Sequence, residues 1–124
     1  MKLIDTQSIY EVIYPAKDIP DEQKPKFSLR RLSTREVDDI EDNLSVAVKE
    51  EGKVKIQYNS GTATRLKIKF AVVNWTGIED EKGSPAICND LNKDKLPNTI
   101  RVWLESIIDK DNCLKGVEEN LRKK

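Results

Sequence analysis

The sequence predicts an α+β fold: a small antiparallel sheet packed with three to four helices, preceded by an extended N-terminal strand and a proline-rich arm. Three observations predict it. Apolar and polar residues alternate on both sides of a glycine-bearing loop near 45–58, as in a β-hairpin. A serine–glutamate capping signature opens a helical stripe after residue 33. Ile100, Trp103, Leu104, Ile107 and Ile108 recur at the spacing of one helix face. The chain has 124 residues, which fits one domain able to bury a core without staples. The expected division is an arm over 1–25 and a single α+β domain over 26–124.

Residues 9–14 (Ile-Tyr-Glu-Val-Ile-Tyr) are β-branched and aromatic, which predicts a strand. Pro15, Pro20 and Pro25 then stand at even spacing among charges, a pattern suited to an extended spacer. A second short strand follows over 26–32, where Pro25 suits a strand start or a sheet edge. Ser33 and Glu36 form a capping box, and Val37, Ile40 and Leu44 continue at helical spacing, which predicts a helix over 34–43. Its other face carries Asp38, Asp39, Glu41 and Asp42. A solvated face near the positive helix end is preferred there over a patch for a cation or a basic partner.

In the hairpin, Val46 and Val48 lead into a loop at 50–53, and Val54, Ile56 and Tyr58 return. Residues 63–75 fit two patterns. Leu66, Ile68 and Phe70 alternate with lysines as in a strand, whereas Ala63, Leu66, Phe70 and Val73 share a helical face. The preceding cap signal and the segment's length favour a helix over 62–75. A polar turn spans 79–85, Pro97 suits the first position of a helix over 97–109, and a further helical spacing covers 112–122.

Composition narrows the function classes. Lys plus Arg and Asp plus Glu each total 22, so no net field draws the chain to a phosphate backbone or an anionic membrane. No apolar run approaches the ~18 residues that span a bilayer. Residues 1–13 lack the apolar centre of a signal peptide, so the cytosol is the expected compartment. There Cys88 and Cys113 are expected as free thiols. The sequence contains no histidine, which removes the commonest general base, nucleophile activator and metal ligand together. A protein that works by contact, without catalysis, cofactor or metal, is the expectation.

Two stretches begin like calcium loops. From Asp109, the sixth and twelfth positions are Leu114 and Asn120, so the turn glycine and the bidentate glutamate are missing. From Asp90, the same positions are Lys95 and Arg101, which are wrong for a cation. Arg30 and Arg31 beside Phe27, and Lys67 and Lys69 beside Phe70, suggest nucleic-acid contacts, against which the 6% aromatic content and zero charge argue. Trp75 and Trp103 suit an interface, but an apolar setting makes core the preferred place for each.

The motifs also come in a telling order. Lys-Pro-Lys-Phe-Ser-Leu-Arg (24–30) precedes Arg-Leu-Ser-Thr-Arg-Glu (31–36) at a helix start. Then follow Gly-Thr-Ala-Thr-Arg-Leu (61–66), Val-Val-Asn-Trp-Thr-Gly-Ile (72–78), Glu-Asp-Glu-Lys-Gly-Ser-Pro (79–85) and a final helix. Over roughly residues 26–108 this order resembles small morphogenesis proteins encoded in tailed-bacteriophage structural operons, particularly tail assembly chaperone-like proteins. The proline segment at 15–25 and the Ile-Cys-Asn-Asp-Leu stretch at 87–91 depart from that pattern.

The resemblance implies a non-enzymatic assembly protein in the bacterial host cytoplasm. Its expected partner is the tape-measure or tail tube protein, bound through Ile100, Trp103, Leu104 and Ile107 in a helix-in-groove mode. Packing of that stripe on the domain's own sheet is the preferred alternative. The other implied role is a virion component, such as a head-tail connector, tail-completion or auxiliary capsid protein. There Ile9, Tyr10, Val12 and Tyr14 on the N-terminal strand would pair with portal or capsid neighbours or with a further copy of the chain.

Overall fold

A computed structural model describes residues 2–50, 52–58 and 60–114, with the backbone alone for 44–50, 54–58 and 60. Strand β1 (Ile9–Ile13) pairs antiparallel with β2 (Lys26–Arg30), which pairs antiparallel with β5 (Val72–Thr76), in the order β1-β2-β5. β2 is therefore the centre of this sheet, and its alternation shows it. Phe27 and Leu29 are fully buried on one face, while Lys26, Ser28 and Arg30 stand half-buried on the other. Tyr10 lies opposite Leu29, Val12 opposite Phe27, and Trp75 across β2's other edge from Phe27. Those side chains form the sheet's inner layer.

The N-terminal strand pairs within the chain's own sheet. The proline segment makes the connection back to β2: a short 3-10 turn at Asp21–Gln23 reverses it, and the Tyr14 amide donates to the Pro25 carbonyl at 2.8 Å. Helix α1 (Thr34–Leu44) begins at the predicted capping box. The Ser33 hydroxyl accepts the Glu36 amide at 3.2 Å, and the Glu36 carboxylate accepts the Ser33 amide at 2.9 Å. The predicted hairpin follows without a linker. β3 (Ser45–Glu50) and β4 (Lys53–Tyr58) form a separate two-stranded ribbon, turning at Gly52, whose φ of +78° suits glycine. Apart from β4, β3 meets chiefly α1.

Helix α2 (Ser60–Ala71) ends four residues before the limit expected from its pattern, and residues 72–76 become β5. β-Branched Val72, Val73 and Thr76 and the ring of Trp75 favour a strand, and β2 offers an unpaired edge. A register shift between Ser28 and Leu29 brings Val72 opposite Leu29, so Val72 and Trp75 both reach the core although they stand three positions apart.

After β5 the chain turns at Gly77, where φ is +77° and a Cβ would lie 2.9 Å from the Lys24 carbonyl oxygen. The Asp80 carboxylate accepts the amides of Lys82 and Ser84 and shapes the following loop. The short α3 (Asp90–Lys93) is capped by the Asn89 side chain on the Asn92 amide. Helix α4 (Asn98–Asp111) starts after Pro97 and ends at Asn112. The Asn112 side chain accepts the Leu32 amide and donates to the Ile108 carbonyl, and Cys113 adopts a φ of +54°. Residues 112–114 therefore close α4, and the rest of the helix expected at 112–122 lies outside the described residues.

α2 packs between α1 and α4. α4 contributes Ile100, Leu104 and Ile108 to the core, each worth roughly 1.5–3 kcal/mol on burial. Trp103 stands edge-on to Tyr14 at 5.2 Å and tilts against Phe27 at 5.9 Å, which joins α4 to the sheet.

Candidate protein-contact surface

Among the described residues β1 is paired on one side only, so its other edge presents backbone groups unpaired by any of them, a template for strand addition. Alternation splits its side chains. Tyr10, Val12 and the following Tyr14 pack partly buried against the core, whereas Ile9 is 61% exposed and Ile13 48% exposed. Leu3 and Ile4, just upstream, are also exposed. Ile9 is thus the one residue of the predicted strand set that reaches solvent as an apolar contact. Ile13 was missed, although two-residue alternation from Ile9 points to it.

On α4, Ile100 and Leu104 are buried in the domain's own core, and Trp103 and Ile107 are partly buried against it. The stripe faces inward, with α2 as the main neighbour of α4 and Trp103 reaching the sheet expected on sequence grounds. That packing takes Ile100 and Leu104 out of a partner's reach.

The buried charge of the domain lies between α2 and α4. The Lys67 ammonium, in a residue only 2% exposed, meets the Asp109 carboxylate at 2.8 Å and that of Glu105 at 3.5 Å. The Thr64 hydroxyl donates to the same Glu105 carboxylate. One turn separates Glu105 from Asp109 and places both over Lys67. These ion pairs tie the two helices together. Nearer the sheet, the Tyr10 hydroxyl donates to Asp111, and burial first, then that carboxylate, raises the phenol above its ordinary value of 10.0.

These contacts occupy the side chains that suggested other chemistry. Asp109 and Asp111, which open one calcium-like stretch, are bound to Lys67 and Tyr10. In the other, Asn92 donates its side-chain amide to the Ile87 carbonyl. Among the described residues no group of three or more acids and cysteines is placed to hold a metal. Lys67 is buried and Phe70 partly so, which removes that pair from any nucleic-acid surface. Arg30 forks onto Glu36 at 2.9 and 2.5 Å, and this hydrogen bond foremost lowers the Glu36 carboxyl. Asp38, Asp39, Glu41 and Asp42 stand exposed on α1. Among the described residues no helix is long and apolar enough to cross a membrane.

No family model, no curated protein and no solved structure matches the chain.

Proposed function

We propose that the chain is a non-enzymatic bacteriophage assembly protein, a tail assembly chaperone-like factor that acts through protein–protein contacts. The observation that supports it best is the open edge of β1, with Ile9 and Ile13 in solvent and its inner residues anchored on the core. An edge strand with apolar side chains is suited to hold an extended segment of a partner by main-chain pairing, with side-chain pockets adding selectivity. The order of motifs over residues 26–108 supports the phage setting, with the tape-measure or tail tube protein as the partner and the host cytoplasm as the place of action.

The same open edge favours one alternative, a virion component that accepts a strand from a portal or capsid neighbour. Quantitative mass spectrometry of purified particles separates the two. A chaperone is absent from mature particles, and its deletion halts tail formation. A connector or auxiliary capsid protein is recovered at stoichiometric copy number. Normal particles formed without the reading frame contradict both.

A further inference from the structure

We propose that the cleft between α2, α3 and α4 binds a single oxyanion, a phosphoryl or carboxylate group, through Arg65 and Arg101. The cleft has a volume of about 250 Å³, and its charged lining comprises Arg65, Lys69, Asp90, Lys93, Asp94 and Arg101. The size decides the class of ligand. It falls below the ~300–1,000 Å³ typical of sites for whole drug-sized molecules, yet gives ample room for one anionic group.

Four cations meet two carboxylates here, and their engagement is uneven. Lys93, nearly buried, donates to the Lys69 carbonyl at 3.1 Å and lies 3.7 Å from Asp90. It neutralises Asp90 and the last turn of α2, a structural use. Within the lining, Arg65, Lys69 and Arg101 are then left with Asp94, and none of the three cationic heads has an ion pair or hydrogen-bond partner among the described residues. Two unmatched positive charges remain in a concave site.

Geometry strengthens the contrast. Arg65 and Lys69 lie one turn apart on α2, a repulsive pairing for a helix surface, and Arg101 joins them from α4. Arg30, by contrast, places its fork on Glu36. Guanidinium forks match phosphate and carboxylate oxygens with two parallel hydrogen bonds, which an ammonium cannot do. A chain of zero net charge has no general attraction for anions, so affinity would come from this local convergence.

Calorimetric titration of the full chain at low ionic strength tests the site with two probes, inorganic phosphate and a blocked glutamate-rich peptide. Saturable binding of at least one is expected. Phosphate alone identifies a phosphoryl ligand, and tighter binding of the peptide identifies an acidic protein segment. The double variant Arg65→Gln/Arg101→Gln is expected to weaken binding at least ~tenfold, while Arg35→Gln on the exposed start of α1 leaves it unchanged. Arg65→Lys/Arg101→Lys keeps the charge without the fork and is expected to bind with intermediate affinity. Circular dichroism and the thermal midpoint check that each variant is folded. The proposal is overturned if neither probe saturates, or if the folded glutamine variant binds like the parent. This test is independent of the β1 contact, so either can fail alone.

Discussion

Replacing Lys67 with Met tests whether the α2–α4 charge cluster holds the helices together. The ammonium sits 2.8 Å from Asp109 and 3.5 Å from Glu105 and is almost fully buried. Methionine fills similar space, so the change removes charge more than volume. Breaking a fully buried ion pair from one side costs ~3–5 kcal/mol, because the partner's charge stays behind. Here the two carboxylate side chains retain 23% and 16% exposure and recover some hydration, so about 2–4 kcal/mol is expected.

With an unfolding entropy of ~2.1 cal/mol/K per residue, 3 kcal/mol corresponds to a fall of roughly 12 °C in the melting temperature. Calorimetry and urea unfolding at neutral pH measure both. Converting the acids as well, in Lys67→Met/Glu105→Gln/Asp109→Asn, removes the stranded charges and is expected to recover part of the loss. A single variant within ~0.5 kcal/mol of the parent would refute the reasoning, since that is the range of ordinary surface substitutions.

Two further predictions concern the sheet's surroundings. Glu36→Gln keeps the cap geometry but removes the charge facing Arg30, so a loss of about 1 kcal/mol is expected at neutral pH. The folded Glu36 carboxyl lies below its ordinary 4.5, so its contribution is present above that value and is lost as pH falls through the folded value. The parent and variant stabilities should therefore differ at neutral pH and converge under acid, as urea titrations across pH would show; a constant gap contradicts the assignment. Gly77→Ala forces a Cβ against the Lys24 carbonyl at positive φ and is expected to cost ~2 kcal/mol or more, whereas Gly61→Ala, with open space and a helical position, is expected to be neutral or stabilising. Melting temperatures that fall equally for both would show that the Lys24–Gly77 approach is not a constraint.

The elements legible in the sequence are those specified by neighbours along the chain. Ser33 and Glu36 are three residues apart, so their reciprocal cap can be read from spacing alone. The hairpin needs only alternation and the glycine at 52. The end of α2 is different. Because of the register shift beside Leu29, Val72 and Trp75 both point inward, and inward residues three apart imitate a helix. Pairing of β5 with β2 is what resolves the pattern, and no local feature announces a partner so distant along the chain.

The contact surface shows the same limit. Which strand of a sheet is an edge follows from pairing order, so the exposure of Ile9 and Ile13 was only half readable from the period of β1. Ile100 and Leu104 carried the strongest apolar signal and were buried for that reason. Arg65 and Arg101 lie on separate helices, and Lys67 finds its acids on α4, so neither constellation has a sequence spacing of its own.

The central claim is that β1 is the surface through which this chain contacts another assembly protein. Site-specific photocrosslinking during infection tests it most directly, with the reactive group at position 13 and, for comparison, at exposed position 102 on α4. A single heavier adduct from position 13, containing a phage tail or head morphogenesis protein and absent from position 102, is the predicted result. Uncrosslinked chain at position 13, or the same scatter of host proteins from both positions, would contradict it.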